Sequence, residues 1–185
     1  IKAIVIDHHQ IHEKNKNKDS IIINPLKNSK VNQYSNFCAT TLVYFFLKYI
    51  NNKFIKNTKF KINKYLFFAA ISTICDQMPL RNLNRIIVNQ GLRNFNINEY
   101  LILNKIFKLK NKINSTDIGY NFGPILNSAG RLGNSHLPIK LLIETNLANI
   151  KKISDKLINL NNKRKKIQFH TFNLLNKINK SKSDE

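Results

Sequence analysis

Ile4-Val5-Ile6-Asp7-His8-His9 decides the reading of this chain: an apolar run that reads as a buried strand ends on a carboxylate and two imidazoles. Open α/β sheets collect their chemistry just beyond the carboxyl ends of the strands, so three metal or proton handlers at that point read as a site. The client they suit is a divalent metal. A His-His pair taken alone has an ordinary reading too, as two satisfied surface or core imidazoles. The preceding Asp and the strand end weigh against it.

Around that stretch the composition is globular, 42% hydrophobic and 22% charged, and 185 residues allow one domain-sized core. The chain starts at Ile1 and its one methionine is Met78, so it reads as an internal piece of a longer polypeptide. The longest nearly unbroken apolar run, Tyr65 to Cys75, falls short of the roughly 20 residues of a membrane span, and no membrane partner is expected. Cys38 and Cys75 lie far apart in apolar sequence without zinc-ligand spacing, as buried thiols of a reducing cytoplasm do. The formal charge of +21 has two readings. It is a footprint for nucleic acid, since Lys and Arg on a polyanion release counterions. It is equally the surface drift of a chain in which Lys, Asn and Ile are over-used together.

Strands come early and helices later. Gln10 to Asp19, with His12 inside it, reads as a Lys-rich loop; Ser20 to Ile23 reads as a second short buried strand closed by the turn dipeptide Asn24-Pro25. Cys38 to Ile50 and Tyr65 to Cys75 read as helices packed on the sheet, and Leu83 to Phe95 and Ile97 to Leu109 as amphipathic helices. The clearest helix runs from about Asn146 to Ile178. Ile150, Ile153, Leu157, Leu160, Ile167, Leu174 and Ile178 fall on one three-four seam, with Arg164 and Thr171 in the remaining places.

Three further features carry candidate chemistry. Asp76 follows an apolar helix at its C-terminus, where the macrodipole disfavours an anion, and Pro79 blocks continuation. A water-facing helix end explains it; so does a cation shared with the imidazoles. The stretch Gly119 to Gly133 holds four of the five glycines of the chain. Main-chain amides, Asn127 and Arg131 can converge there on a phosphate, and helices can pack tightly across a turn; the two readings are compatible. Within the basic cluster Lys163 to Lys166, Arg164 stands on the apolar seam and must pair with something there.

Together these residues resemble a known family. Val5-Ile6-Asp7-His8-His9 is similar to the signature of the Asp-His-His (DHH) phosphoesterase superfamily, and Asn24-Pro25 falls where that superfamily often has Asn-Pro. Asp76-Gln77-Met78-Pro79-Leu80 with Asn84-Arg85 resembles the Asp-x-x-Pro-Leu…Asn-Arg segment of the RecJ branch, the single-strand-specific DNA exonucleases. Gly123-Pro124-Ile125-Leu126-Asn127-Ser128-Ala129-Gly130-Arg131-Leu132 resembles that branch's Gly-Pro-Arg-Leu-Asn-Ala-Ala-Gly-Arg-Leu, and Leu160-Asn161 with Arg164 matches the start of its long connecting helix.

The resemblance implies an α/β fold: the C-terminal part of a DHH-type parallel-sheet domain with several packed helices over residues 1–145, then a long connecting helix over 146–185 leading to an absent DHHA1 lobe. It implies a monomeric enzyme of repair and recombination that cuts single-stranded DNA from the 5′ end with two manganese or magnesium ions, beside a helicase or single-strand-binding partner. Carried over, His8 and Asp76 are metal ligands and Asp7 a ligand or its close support. His9 touches the scissile phosphate, and Asn127 and Arg131, with Arg164, hold the DNA. The departures are as definite. The upstream Asp motifs of the family are absent, Ile125 replaces an arginine, and Cys38-Ala39-Thr40-Thr41 stands where relatives carry glycines. The expectation is an inactive isolated polypeptide. The competing readings are an oligoribonucleotide or cyclic-dinucleotide phosphodiesterase of the same superfamily, and a degenerate nucleic-acid-binding module without catalysis.

Overall fold

Val and Ile dominate two short segments, and both become strands: β1 (Ala3–Ile6) and β2 (Ser20–Ile23). They pair in parallel, Ala3 opposite Ser20 through Ile6 opposite Ile23, and the Asp7 amide extends the ladder to the Ile23 carbonyl at 3.1 Å. The computed structural model describes residues 2–11, 20–27, 34–56, 61–95 and 112–183. His12 and the segment Ile97 to Leu109 therefore lie outside the described residues. The strands are where expected, but they are not buried: Ile4 is 53% and Ile21 65% exposed. Residues apolar on both faces suit a sheet covered on both sides, whereas each strand here has one described neighbour and little over its faces.

Among the described residues six α-helices follow: α1 (Ala39–Ile50), α2 (Leu66–Cys75), α3 (Asn82–Arg93), α4 (Gly123–Arg131), α5 (His136–Ile143) and α6 (Leu147–Ser183). A π-turn (Asn51–Ile55) continues α1, a 3-10 turn (Ile62–Tyr65) leads into α2, and a second π-turn (Asp117–Phe122) precedes α4. The chain divides into two compact units. The first comprises Ile1–Phe95 with Lys112–Ile118, and the second is built on Gly119–Glu185.

In the first unit, Phe37, Tyr44, Ile62, Leu66, Ala69 and Ile87 form the core, with Leu42, Tyr65 and Leu83 against it. Helices α2 and α3 pack closely at Gly91, where a Cβ would stand 2.6 Å from the Ala70 Cβ and 3.0 Å from the Leu66 carbonyl oxygen. That glycine lies outside the glycine-rich stretch. Within the stretch, a Cβ on Gly130 would meet nothing within 4 Å, so it makes no tight helix contact, and Gly133 supplies the left-handed residue (φ 76) that ends α4.

In the second unit the Asn146 side chain accepts the amides of Ala148 (2.9 Å) and Asn149 (3.2 Å), which starts α6 at the expected place. Ile150, Ile153 and Leu157 of α6 are buried with Ala129 of α4 and Leu137 and Leu141 of α5. Past Arg164 every described side chain of α6 is exposed. Among the described residues no helix is long and apolar enough to cross a membrane.

Candidate functional site

At the end of β1 the chain turns under the control of Asn24. Its Nδ2 donates to the His9 carbonyl at 2.9 Å and its Oδ1 accepts the Leu26 amide at 2.8 Å, so the turn dipeptide after β2 fixes the loop after β1. The ligand-capable atoms of Asp7, His8 and His9 then fall within 4.8 Å of one another. His9 Nδ1 donates to Asp7 Oδ1 at 2.7 Å, and the His9 amide donates to Asp7 Oδ2 at 3.3 Å. The His9 hydrogen bond holds the Asp7 carboxyl below its usual 3.8 against a smaller opposing effect of burial, keeping it an anion at neutral pH. With Nδ1 engaged, the Nε2 of His9 is open to a ligand.

The His8 ring is held differently. Ala39, the first residue of α1, donates its amide to His8 Nδ1 at 3.2 Å, so the imidazole satisfies one of the orphan donors of that helix. A neutral ring accepting at Nδ1 carries its proton on Nε2. Ligation through Nδ1 therefore requires His8 to release Ala39.

Asp76 ends α2 in a Schellman turn: the Gln77 amide reaches the Ile74 carbonyl at 3.1 Å and the Met78 amide the Thr73 carbonyl at 3.0 Å. The pivot is Gln77, left-handed at φ 54 where glycine is usual. Ser72 Oγ donates to Asp76 Oδ2 at 3.2 Å and receives Thr40 Oγ1 at 3.0 Å, which links Asp76 to the start of α1 next to the amide that meets His8. The Asp76 carboxylate itself stands outside the group of Asp7, His8 and His9. Asn84, buried at the start of α3, donates to the Asn36 carbonyl (2.8 Å) and the Pro79 carbonyl (3.0 Å), pinning the loop that follows Asp76.

Cys38 is buried, as its sequence context suggests, with Sγ 3.3 Å from Thr41 Oγ1. Cys75 is half-buried, and burial, with the neighbouring Asp76 carboxylate, pushes its thiol up to about 11. A protonated thiol is a poor ligand and nucleophile, so Cys75 adds no donor. Of the expected phosphate contacts, Asn127 and Arg131 lie four residues apart on the exposed side of α4, opposite the buried Ser128 and Ala129. Arg164 does pair on its seam, with amides of its own helix: Asn161 Oδ1 at 3.1 Å and Gln168 Oε1 at 3.0 Å. These three residues belong to the second unit, and Asp7, His8, His9 and Asp76 to the first.

No family model matches the chain. Curated relatives do. The chain is 26% identical over 179 residues to the single-stranded-DNA-specific exonuclease RecJ of Haemophilus influenzae, covering 91% of this chain and 31% of that protein. It is 29% identical over 126 residues to RecJ of Escherichia coli, covering 63% and 22%. The fold superposes on a crystal structure of exonuclease RecJ bound to manganese with a TM-score of 0.79 at 20% identity, over 93% of this chain and 43% of that one. The chain is RecJ-like. A second solved structure, RecJ of Thermus thermophilus in complex with Mn2+, gives a TM-score of 0.80 at 20% identity, over 95% of this chain and 26% of the other. The RecJ likeness fixes the α/β class, and the chain spans less than a third of the length of these curated relatives.

The donor set bears on the metal directly. One carboxylate and two imidazoles within 4.8 Å fit a single manganese-like ion that accepts mixed oxygen and nitrogen ligands, while Asp76 is outside that group and tied to Ser72. Among the described residues no further His, Cys, Asp or Glu joins that group, so a two-ion cage is not completed from them.

Proposed function

We propose that this chain is the DHH portion of a manganese- or magnesium-dependent exonuclease that removes nucleotides from the 5′ end of single-stranded DNA, in repair and recombination in the cytoplasm. The observation that carries the reading is the convergence of the Asp7, His8 and His9 donors at the end of a parallel strand in a RecJ-like chain. Divalent ions held there supply charge neutralisation at the phosphodiester and a more acidic water. His8 and Asp76 are the ligands, with His8 giving up the Ala39 amide as it binds. Asp7 ligates or, through its 2.7 Å bond, orients His9. His9, held by Asp7 through Nδ1, meets the scissile phosphate by donating from Nε2 when that nitrogen also carries a proton.

Asn127 and Arg131 share a helix face at the i, i+4 spacing that lets an amide and a guanidinium grip one backbone, and Arg164 adds a third donor group. These metal donors are too few for two ions, so the 185-residue polypeptide by itself does not digest DNA. In a protein of the relatives' length the second ion is completed by other residues, the enzyme works as a monomer, and a helicase or single-strand-binding protein delivers the strand.

Titration of the chain with Mn2+, followed by electron paramagnetic resonance, tests the ligands. His8→Ala and Asp76→Ala are each expected to weaken binding by about 10–100-fold or more, the range known for groups that support or hold a metal. With Mg2+ as the probe, the Ala39 amide resonance moves as His8 lets it go. Unchanged Mn2+ affinity in both variants refutes the assignment, and manganese-dependent digestion of single-stranded DNA by the wild-type chain refutes its inactivity.

A further inference from the structure

Helix α1 starts at the amide that meets His8 and ends, about 15 Å away at 1.5 Å per residue, in a strained turn around Tyr49. There Ile50 hands over to the π-turn Asn51–Ile55, closed by the Lys56 amide on the Asn51 carbonyl at 2.6 Å, with Lys56 left-handed at φ 49. A non-glycine residue in that region costs backbone energy, and strain of this kind is kept at sites that use it. The widened turn brings the residues four and five places after Tyr49 against it together. Lys53 Nζ donates to the Tyr49 hydroxyl at 2.9 Å and lies 5.4 Å from the Tyr49 ring centroid and 5.7 Å from that of Phe54. The two rings stand edge to face, centroids 6.2 Å apart, and remain 53% and 64% exposed.

We propose that Tyr49, Lys53 and Phe54 form a second contact for single-stranded nucleic acid, beyond the Asp-His-His corner, where bases stack on the rings and the ammonium meets a phosphate. This rests on the function proposed above, and names where the strand runs after it leaves the corner. Charge selects the occupant. Between Ser20 and Cys75 the sequence has eight lysines and no Asp or Glu. A second copy of the chain would bring like charge to like charge there, and a dry apolar partner would strip water from an ammonium with no carboxylate to receive it. A phosphate backbone leaves Lys53 wet and paired, and every base offers a face to Tyr49 and Phe54. Single-strand sites of about 4–16 nucleotides are ordinary, which comfortably bridges the length of α1.

The test measures fluorescence anisotropy of labelled oligothymidylates on the whole 185-residue chain, one short enough to fill only the corner and one long enough to span both places. Phe54→Leu keeps an apolar side chain and loses the ring; it is expected to weaken the long strand about tenfold and leave the short one unchanged. Phe54→Tyr, which restores a ring, restores the long-strand affinity, and circular dichroism confirms that each variant is folded. Equal losses on both strands, or none on the long strand, overturn the proposal. If Arg131→Ala weakens DNA binding while Phe54→Leu does not, the patch fails and the functional reading survives. If the wild-type chain binds neither strand, the functional reading fails and the patch with it. A change in sedimentation with Phe54→Leu and none in DNA affinity makes the patch a protein interface and also overturns it.

Discussion

The corner at Asp7 and the face of α4 are built on opposite plans. Among the described residues every candidate ligand is tied across elements or along a turn: His8 to the start of α1, His9 to Asp7 and to Asn24, Asp76 to Ser72 and through it to Thr40. Asn127 and Arg131 have no such side-chain tether among the described residues, and Arg164 is held only by its own helix. Metal chemistry tolerates displacements of tenths of an ångström, so its donors are placed by hydrogen bonds between elements. A guanidinium or amide meeting a flexible phosphate backbone needs only a rigid platform and freedom at the tip.

If that contrast is right, the second unit is most vulnerable through its packing. Leu157 is fully buried where α6 meets the other helices of its unit, and Leu157→Ala should cost about 2–5 kcal/mol in urea unfolding. Because nothing else among the described residues fixes Asn127 and Arg131, single-strand affinity should fall with it. A stable variant with intact DNA binding would mean that α4 is positioned by contacts other than this core.

The first unit should break through a backbone contact instead. Gly91→Ala places a methyl 2.6 Å from the Ala70 Cβ and 3.0 Å from a main-chain oxygen, neither of which is the end of a flexible side chain. The helix carrying Asp76 must move away from α3, at about 1–3 kcal/mol, and Mn2+ affinity should drop with the displaced carboxylate. A variant with unchanged melting temperature would show that α2 and α3 are farther apart in solution.

These two lesions also show what the sequence made legible. The strands, α2, α3 and the start of α6 follow from apolar periodicity and from Asn146 as a cap, which are local signals. Burial of β1 did not follow, because Ile4-Val5-Ile6 records what a strand is suited to, and exposure depends on what covers it. The glycine cluster drew attention to Gly119 to Gly133, yet a tight contact is made at Gly91, alone in an amphipathic helix where only the partner helix reveals its role. Asn24 was readable as a turn residue, but its clamp on His9 spans fifteen positions and needs the parallel pairing of β1 with β2. The π-turn at Asn51 has no signature in apolar periodicity or turn residues, and neither α5 nor the Ser72–Thr40 link announces itself before the helices are packed.

The smallest effect bears most directly on the corner. Asp7 titrates below 3.8 because His9 donates to it, with backbone amides adding to the shift. A carboxyl depressed in the folded state stabilises the fold above its unfolded pKa, and that contribution disappears as the pH falls through the lowered folded value. With Asp7 39% and His9 77% exposed, water screens the pair and the stability at stake is small, so the titration itself is the sensitive measure. Carbonyl NMR of the chain should find Asp7 titrating below 3.8, and His9→Ala should bring it back up toward that value. An Asp7 titration that ignores the substitution would mean the 2.7 Å bond is not formed in solution, leaving His9 as loosely held as Arg131 and the two plans no longer distinct.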